Sequence, residues 1–358
     1  MLKKCFVFLL CWLLYGSSFS QQDTAFFTNP LLPSGADPWS MYKDGFYYYT
    51  HTVGDRIVIW KTTDLAQLGA AEKKTVYKPP PNTLYSKQLW APEIHHINGK
   101  WYVYFAASNG NNQNHRMYVI ENGAKDPFEG EWVLKGKVAD ASDKWAIDGS
   151  VFAHRNQLYM VWSGWEGDHN KQQDIYIAKM KNPWTIEGAR VLAEVVFQRG
   201  AVAVEQAALP LPGETADGEG PQLLKRGRGL FLIYSASGCW TEQYSLGMLT
   251  FKGRKNLLDS ALWQKEVEPV FTHAPQNGVY APGHNSFFKS PDGKEDWILY
   301  HANSAPGQGC GRNRSPRAQK FGWRPNGTPD FGVPLPAGVP VTAPSGNNKA
   351  APSTEKRN

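Results

Sequence analysis

The chain has 358 residues, enough for one large domain or two ordinary ones. Its formal charge of +6 is interspersed along the sequence, which excludes the clustered basic footprint of a nucleic-acid binder. Aromatic residues make up 13% of the chain, so many rings must either pack a core or line a binding surface.

The N-terminus reads MLKK, then the apolar run CFVFLLCWLLY, then the small residues GSSFS. This order predicts a secretory signal peptide over residues 1–20, because the apolar run is too short to span a bilayer. Export to the periplasm or the extracellular space follows, with no membrane span expected. Cys5 and Cys11 leave with the signal, so Cys239 and Cys310 remain in the mature chain.

From residue 36 onward one unit recurs five times. A polar residue next to Pro or Gly is followed by a short strand, a turn, and a strand rich in aromatics. The copies are ADPWSMYKDGFYYYTHT (36–52), APEIHHINGKWYVYFAAS (91–108), IDGSVFAHRNQLYMVWSG (147–164), EGPQLLKRGRGLFLIYSAS (219–237) and GHNSFFKSPDGKEDWILYHAN (283–303). The turns KDG, INGK, HRN, KRGRG and SPDGK are hairpin chemistry. A third strand follows in RIVIWKTTDL, HRMYVIEN, QDIYIAKM and YSLGMLTF, and a fourth in EWVLKGKV (131–138) and EVEPVF (266–271). Long amphipathic helical patterns are hard to find. Four short strands, five times over, predict an all-β, five-bladed β-propeller with a central channel over residues 21–341. The polar tail over 342–358 reads as disordered.

In a propeller the first strand of each blade lies nearest the axis, so the residues opening those strands meet at one mouth. The openers are Asp37, Glu93, Asp148, Glu219 and His284. Converging carboxylates repel, which drives their pKa values apart and leaves one ionised while another keeps its proton. That division suits glycoside hydrolysis, which needs an acid at the leaving oxygen and a base or nucleophile at the anomeric carbon. The same residue types also suit a cation site or a carbohydrate site without chemistry. The sequence has no HExxH, Walker loop, CxxC or GxSxG, and GQGCGR (307–312) reads as a loop. Trp39, Trp90 and Trp165 are candidate sugar platforms. Cys239 and Cys310 each follow the second strand of neighbouring blades, so their loops are expected to lie close, with a disulfide as the pairing to test.

ADPW around Asp37, IDGS around Asp148 and EGP at Glu219 resemble the three-carboxylate signature of glycoside hydrolase family 43. NPLLPSGADPW, WAPEIHHINGKWYVYFAAS, DKWAIDGSVF, CWTEQYSLGMLT and GVYAPGHNSF extend the resemblance from about Asn29 to Gly332. It implies a five-bladed propeller that hydrolyses arabinofuranosides or xylosides with inversion. It is closer to the exo-acting α-L-arabinofuranosidase branches than to the xylosidases. The implied partner is an arabinose- or xylose-containing oligosaccharide or polysaccharide, and a monomer is expected. The resemblance makes Asp37 the general base, Glu219 the general acid, and Asp148 the residue that orients Glu219 and tunes its pKa. Inversion would place Asp37 and Glu219 roughly 6.5–9.5 Å apart. His284 in GHNS matches a channel histidine that often sits by a bound cation such as calcium, or by water. Arg317 in SPRAQKF matches an arginine near the sugar, and Glu93 in APE matches a more structural position. No organic cofactor is implied. Gly218 stands where the family's acid motif usually has Asn, and the preceding segment also offers Glu205, Glu214 and Asp217. Glu219 is chosen because EGPQLL opens a strand. A β-xylosidase and a catalytically silent carbohydrate-binding propeller are the alternatives.

Overall fold

The computed structural model describes residues 25–194 and 216–346. The segment read as a signal peptide, Glu205 and Glu214 lie outside the described residues. Apart from four short 3-10 turns, the described regular structure is all strand.

A short strand, β1 (Phe26–Thr28), precedes five antiparallel four-stranded units, called sheets 1 to 5, of which the third and fourth are joined by a short parallel pairing of Gln172 and Gln173 with Ala216 and Asp217. Sheet 1 holds β2 (Trp39–Lys43), β3 (Phe46–Thr50), β4 (Ile57–Thr62) and β5 (Glu72–Tyr77). Sheet 2 holds β6 (Lys87–Ile97), β7 (Lys100–Ser108), β8 (Arg116–Asn122) and β9 (Val133–Val138). Sheet 3 holds β10 (Ala146–His154), β11 (Gln157–Gly164), β12 (Gln172–Asn182) and β13 (Thr185–Glu194). Sheet 4 holds β14 (Ala216–Arg226), β15 (Gly229–Ala236), β16 (Ser245–Phe251) and β17 (Trp263–Lys265). Sheet 5 holds β18 (Tyr280–Lys289), β19 (Asp296–Asn303), β20 (Ser315–Trp323) and β21 (Pro329–Asp330). The last strand, β22 (Pro340–Thr342), returns to pair with β1.

The hairpin turns explain the regularity. Asp44 and Gly45, Asn98 and Gly99, and Arg155 and Asn156 each supply two successive residues with positive φ between paired strand ends. That is the type I′ geometry whose twist matches the strands it joins.

Sequence runs such as FYYY and WYVYFAA carry large apolar or aromatic side chains without alternation because the middle strands are covered on both faces. Tyr48 packs with Ile57, Ile59, Trp101 and Phe105 between sheets 1 and 2, while Tyr47 and Tyr49 turn to Trp297 and Leu299 of sheet 5. Tyr102 and Tyr104 meet Met160 and Trp162 of sheet 3. Val161 and Ile177 meet Leu232 and Tyr234 of sheet 4. Ile233 and Met248 meet Ile298 and Tyr300 of sheet 5. Each sheet thus shares one apolar layer with the next, and sheet 5 shares one with sheet 1.

Two boundaries differ from expectation. The fourth strand of sheet 4 is Trp263–Lys265 rather than 266–271. Pro269 has no N–H for a ladder, and the segment instead turns back so that Phe271 bridges Leu246. Residue 342, expected to open a disordered tail, is instead the last residue of β22 and pairs with Phe26. Ala343 is buried, and the Ser345 amide donates to Glu295 at 3.0 Å. Residues 347–358 lie outside the described residues. Among the described residues no helix is long and apolar enough to cross a membrane.

Candidate active site

The site is built on a bulge repeated in the first strand of sheets 2 to 5. In β6 the register jumps between Trp90 and Glu93, in β10 between Ile147 and Ser150, in β14 between Glu219 and Gln222, and in β18 between Gly283 and Ser286. Each jump contains one residue with positive φ: Ala91 (44°), Asp148 (56°), Gly220 (54°) and His284 (49°). Asp37, at φ 60°, is the counterpart just before β2. The backbone therefore aligns Asp37, Ala91, Asp148, Gly220 and His284. This corrects the set of five openers expected from the sequence. Glu219 stands one residue before its bulge position, and Glu93 stands two after. An Asp or His in this conformation is tolerated but strained, and such strain concentrates at functional sites.

Asp37 is buried and surrounded by donors. Its Oδ2 accepts the Thr52 hydroxyl at 2.6 Å, and its Oδ1 lies 3.2 Å from Arg314 Nη1. His284 Nδ1 is 3.3 Å from the same Oδ1. The Asp37 amide donates to His301 Nδ1 at 3.0 Å, which makes that nitrogen an acceptor and the His301 ring neutral. Burial works against the Asp37 charge, but Arg314, His284 and the Thr52 hydroxyl outweigh it and hold the carboxyl well below the usual range.

Asp148 and Glu219 face the opposite balance. Burial, then repulsion from Glu219 and Asp37, pushes the Asp148 carboxyl well up. Burial, then repulsion from buried Asp217 and from Asp37, pushes Glu219 up to about 7. A buried carboxyl and a half-buried one that repel each other retain one proton between them at neutral pH. The Gly220 amide donates to Asp148 Oδ2 at 3.1 Å, and His284 Nδ1 lies 3.9 Å from it, both of which favour charge on Asp148. Glu219 Oε2 accepts the Tyr244 hydroxyl at 3.0 Å. Tyr244 reaches that point because Gly283 has no side chain: a Cβ there would lie 2.0 Å from the ring.

Below this ring lies a second one. Glu93, Ser150, Gln222, Ser286 and Trp39 occupy the paired position just after each bulge. Ser150 donates to Gln222 at 3.0 Å, and Gln222 donates to Glu93, whose other oxygen lies 3.0 Å from His95. Burial pushes the Glu93 carboxyl up and the His95 ring down to about 3. Glu93 thus belongs to a floor beneath the three carboxylates.

The aromatic candidates separate in the same way. Trp90 is partly exposed, stacked 3.9 Å from His115, at the register that Glu219 holds in sheet 4. Trp39 is in the lower ring, donates to the Ile94 carbonyl at 2.8 Å, and lines a cavity of about 540 Å³ with Ile97, Ala153 and Leu158, toward the far ends of the first strands. Trp165 is buried and stacked 4.6 Å from Trp145, so it is core.

Arg317 also lies away from the carboxylates. It pairs with Tyr300 in the ladder, so both side chains leave the same face, and its Nη2 donates to Ser304 at 2.8 Å. The arginine at the site is Arg314, three residues earlier, just before β20 begins. Sequence reasoning also missed Thr52, His301 and Tyr244, which sit at strand ends inside the quoted repeats, where the repeat pattern does not distinguish channel-facing from core-facing residues. Among the described residues no group of three or more His, Cys, Asp or Glu side chains has the arrangement to hold a metal ion, and His284 Nδ1 lies 3.3 Å from Asp37 Oδ1 and 3.9 Å from Asp148 Oδ2.

Cys239 and Cys310 are joined as a disulfide with a Cα–Cα distance of 5.1 Å. The bond links the loop after β15 to the loop after β19, which leads into Arg314.

The chain is similar to known glycoside hydrolases. Residues 27–329 match the family described as Glycosyl hydrolases family 43. An extracellular exo-α-(1→5)-L-arabinofuranosidase of Streptomyces avermitilis is 38% identical over 87% of this chain and 64% of its own length. The chain therefore spans a little under two thirds of that relative. An enzyme of the same description from Streptomyces chartreusis is 36% identical over 77% of this chain and 82% of its own. The crystal structure of an α-L-arabinofuranosidase from Lactobacillus brevis superposes with a TM-score of 0.77 at 34% identity, covering 87% of this chain and 98% of that one. The chain belongs to glycoside hydrolase family 43.

Proposed function

We propose that the protein is an exported, inverting glycoside hydrolase that releases single arabinose units from arabinose-containing oligosaccharides and polysaccharides. Its five sheets are the blades of a closed propeller, with Asp37, Asp148 and Glu219 at one mouth of the channel. The shared apolar layers, including the one between sheets 5 and 1, support that closure. The names of the relatives support the substrate and the extracellular destination.

The observation that carries the reading is the split between carboxylates. Arg314 and Thr52 hold Asp37 ionised, while burial and neighbouring negative charge hold a proton on the Asp148–Glu219 pair. With the Gly220 amide on Asp148, that proton belongs on Glu219. Asp37 then takes a proton from water as the water oxygen bonds to the anomeric carbon. The glycosidic C–O bond breaks on the opposite face, and Glu219 gives its proton to the departing oxygen. Solvent afterwards removes the proton from Asp37 and returns one to Glu219. Trp90 is the platform for the sugar being cleaved.

Proton NMR of a reaction with α-1,5-L-arabinotriose tests this. The β-anomer of arabinose should appear first and then mutarotate. First appearance of the α-anomer, or no release of arabinose, would overturn the reading.

A further inference from the structure

Trp240 is the exposed tryptophan among the described residues, with 49% of its surface in solvent. Nothing in the chemistry above uses it. It sits in the loop 237–244, and both ends of that loop touch the proposed acid. Before the loop, Ser235 pairs with Glu219 and Ala236 with Gly218. After it, Tyr244 donates to Glu219.

The ring is set in place. A Cβ on Gly238 would come within 2.2 Å of the indole, so the ring lies directly against the backbone of Gly238. The Thr241 amide and hydroxyl both bond to the Gly238 carbonyl, at 2.9 and 3.0 Å, closing a tight turn around Trp240. The adjacent Cys239 is bonded to Cys310, and Glu242 accepts the Gly307 amide at 2.9 Å. An exposed indole held by a disulfide, a turn and a cross-loop bond costs burial and order that folding alone does not repay.

We propose that Trp240 is the platform for the leaving-group sugar, which makes it a specificity residue for oligosaccharides. The inference rests on the arabinosidase reading above. The general acid must stand beside the departing oxygen, so the sugar attached to that oxygen lies on Glu219's side of the mouth. A flat, amphipathic ring there meets the C–H face of that sugar. Trp90 and Trp240, on opposite sides of the cleaved bond, then divide the substrate between them.

The test compares kcat/KM for α-1,5-L-arabinotriose with kcat/KM for methyl α-L-arabinofuranoside, whose leaving group is too small to reach the loop. The ratio of the two should fall on the order of tenfold in Trp240→Ala, mainly through KM for the trisaccharide, and should recover to within about threefold in Trp240→Phe. A ratio that stays put in Trp240→Ala, or an equal loss on both substrates, overturns the platform while leaving the enzyme reading intact. A wild-type protein that hydrolyses neither substrate overturns the enzyme reading and the platform together.

Discussion

At the level of single residues the site depends on keeping like charges unlike in protonation. Asp37 was legible from ADPW, and so were Asp148 and Glu219, because each sits in a short polar break before an apolar strand. Arg314 was not legible. It lies in GRNRSPR among other arginines, and only the fold shows which guanidinium meets Asp37. Asp217 likewise reads as one of several acids, yet after burial it is the strongest influence raising Glu219 to about 7. Activity that needs protonated Glu219 should fall as pH rises through about 7. In Asp217→Asn one repelling charge is gone, so the Glu219 pKa drops and the alkaline limb of kcat/KM moves to lower pH. An unmoved limb would remove Asp217 from the account. Stability follows the same sign. The folded state holds the Glu219 proton more tightly than the unfolded chain does. Stability is therefore lost as pH rises between the ordinary glutamate value of 4.5 and about 7, and Glu219→Gln should flatten that slope in thermal melts.

At the level of elements, strands and turns were the most legible part. A two-residue turn with positive φ at both positions favours Asn, Asp or Gly, and KDG and NGK announce it, although Arg155 shows that another residue can stand there. The bulges were not legible, because a one-residue insertion leaves no composition of its own. That is why Glu93 and Glu219 were aligned with residues in a different ring. The two cysteines were readable as neighbours once the repeat was seen. Their bond closes a span of 71 residues, for which the loss of chain entropy on unfolding corresponds to about 4 kcal/mol. Cys310→Ser should lower the denaturation midpoint accordingly and loosen both loops at the site. It should also cost more activity on arabinotriose than a distant substitution of equal destabilising effect. Equal midpoints for the variant and the wild type would show that the bond does not constrain the chain.

Across the whole molecule, the five shared apolar layers make the arrangement cooperative, and the β1–β22 pair joins the two ends of the described chain at the layer between sheets 5 and 1. Phe27 of β1 is buried in that layer, its ring 6.1 Å from Trp297. Phe27→Ala should cost about 3–5 kcal/mol by leaving a cavity, measurable by urea denaturation. A loss below about 1 kcal/mol would mean that the pair is an ornament on sheets that hold without it. The convergence of residues as distant as Asp37, Glu219 and Arg314 is also a property at this scale, and it is what the proposed chemistry needs. Parallel kinetics of Asp37→Ala and Glu219→Ala on 4-nitrophenyl α-L-arabinofuranoside and α-1,5-L-arabinotriose test that chemistry most directly. A nitrophenolate leaves with little protonation and a sugar alkoxide does not. Glu219→Ala should therefore lose on the order of 10²–10⁴-fold on arabinotriose and far less on the aryl substrate, while Asp37→Ala depresses both alike. Near-full turnover by both variants on both substrates would contradict the assignment of acid and base.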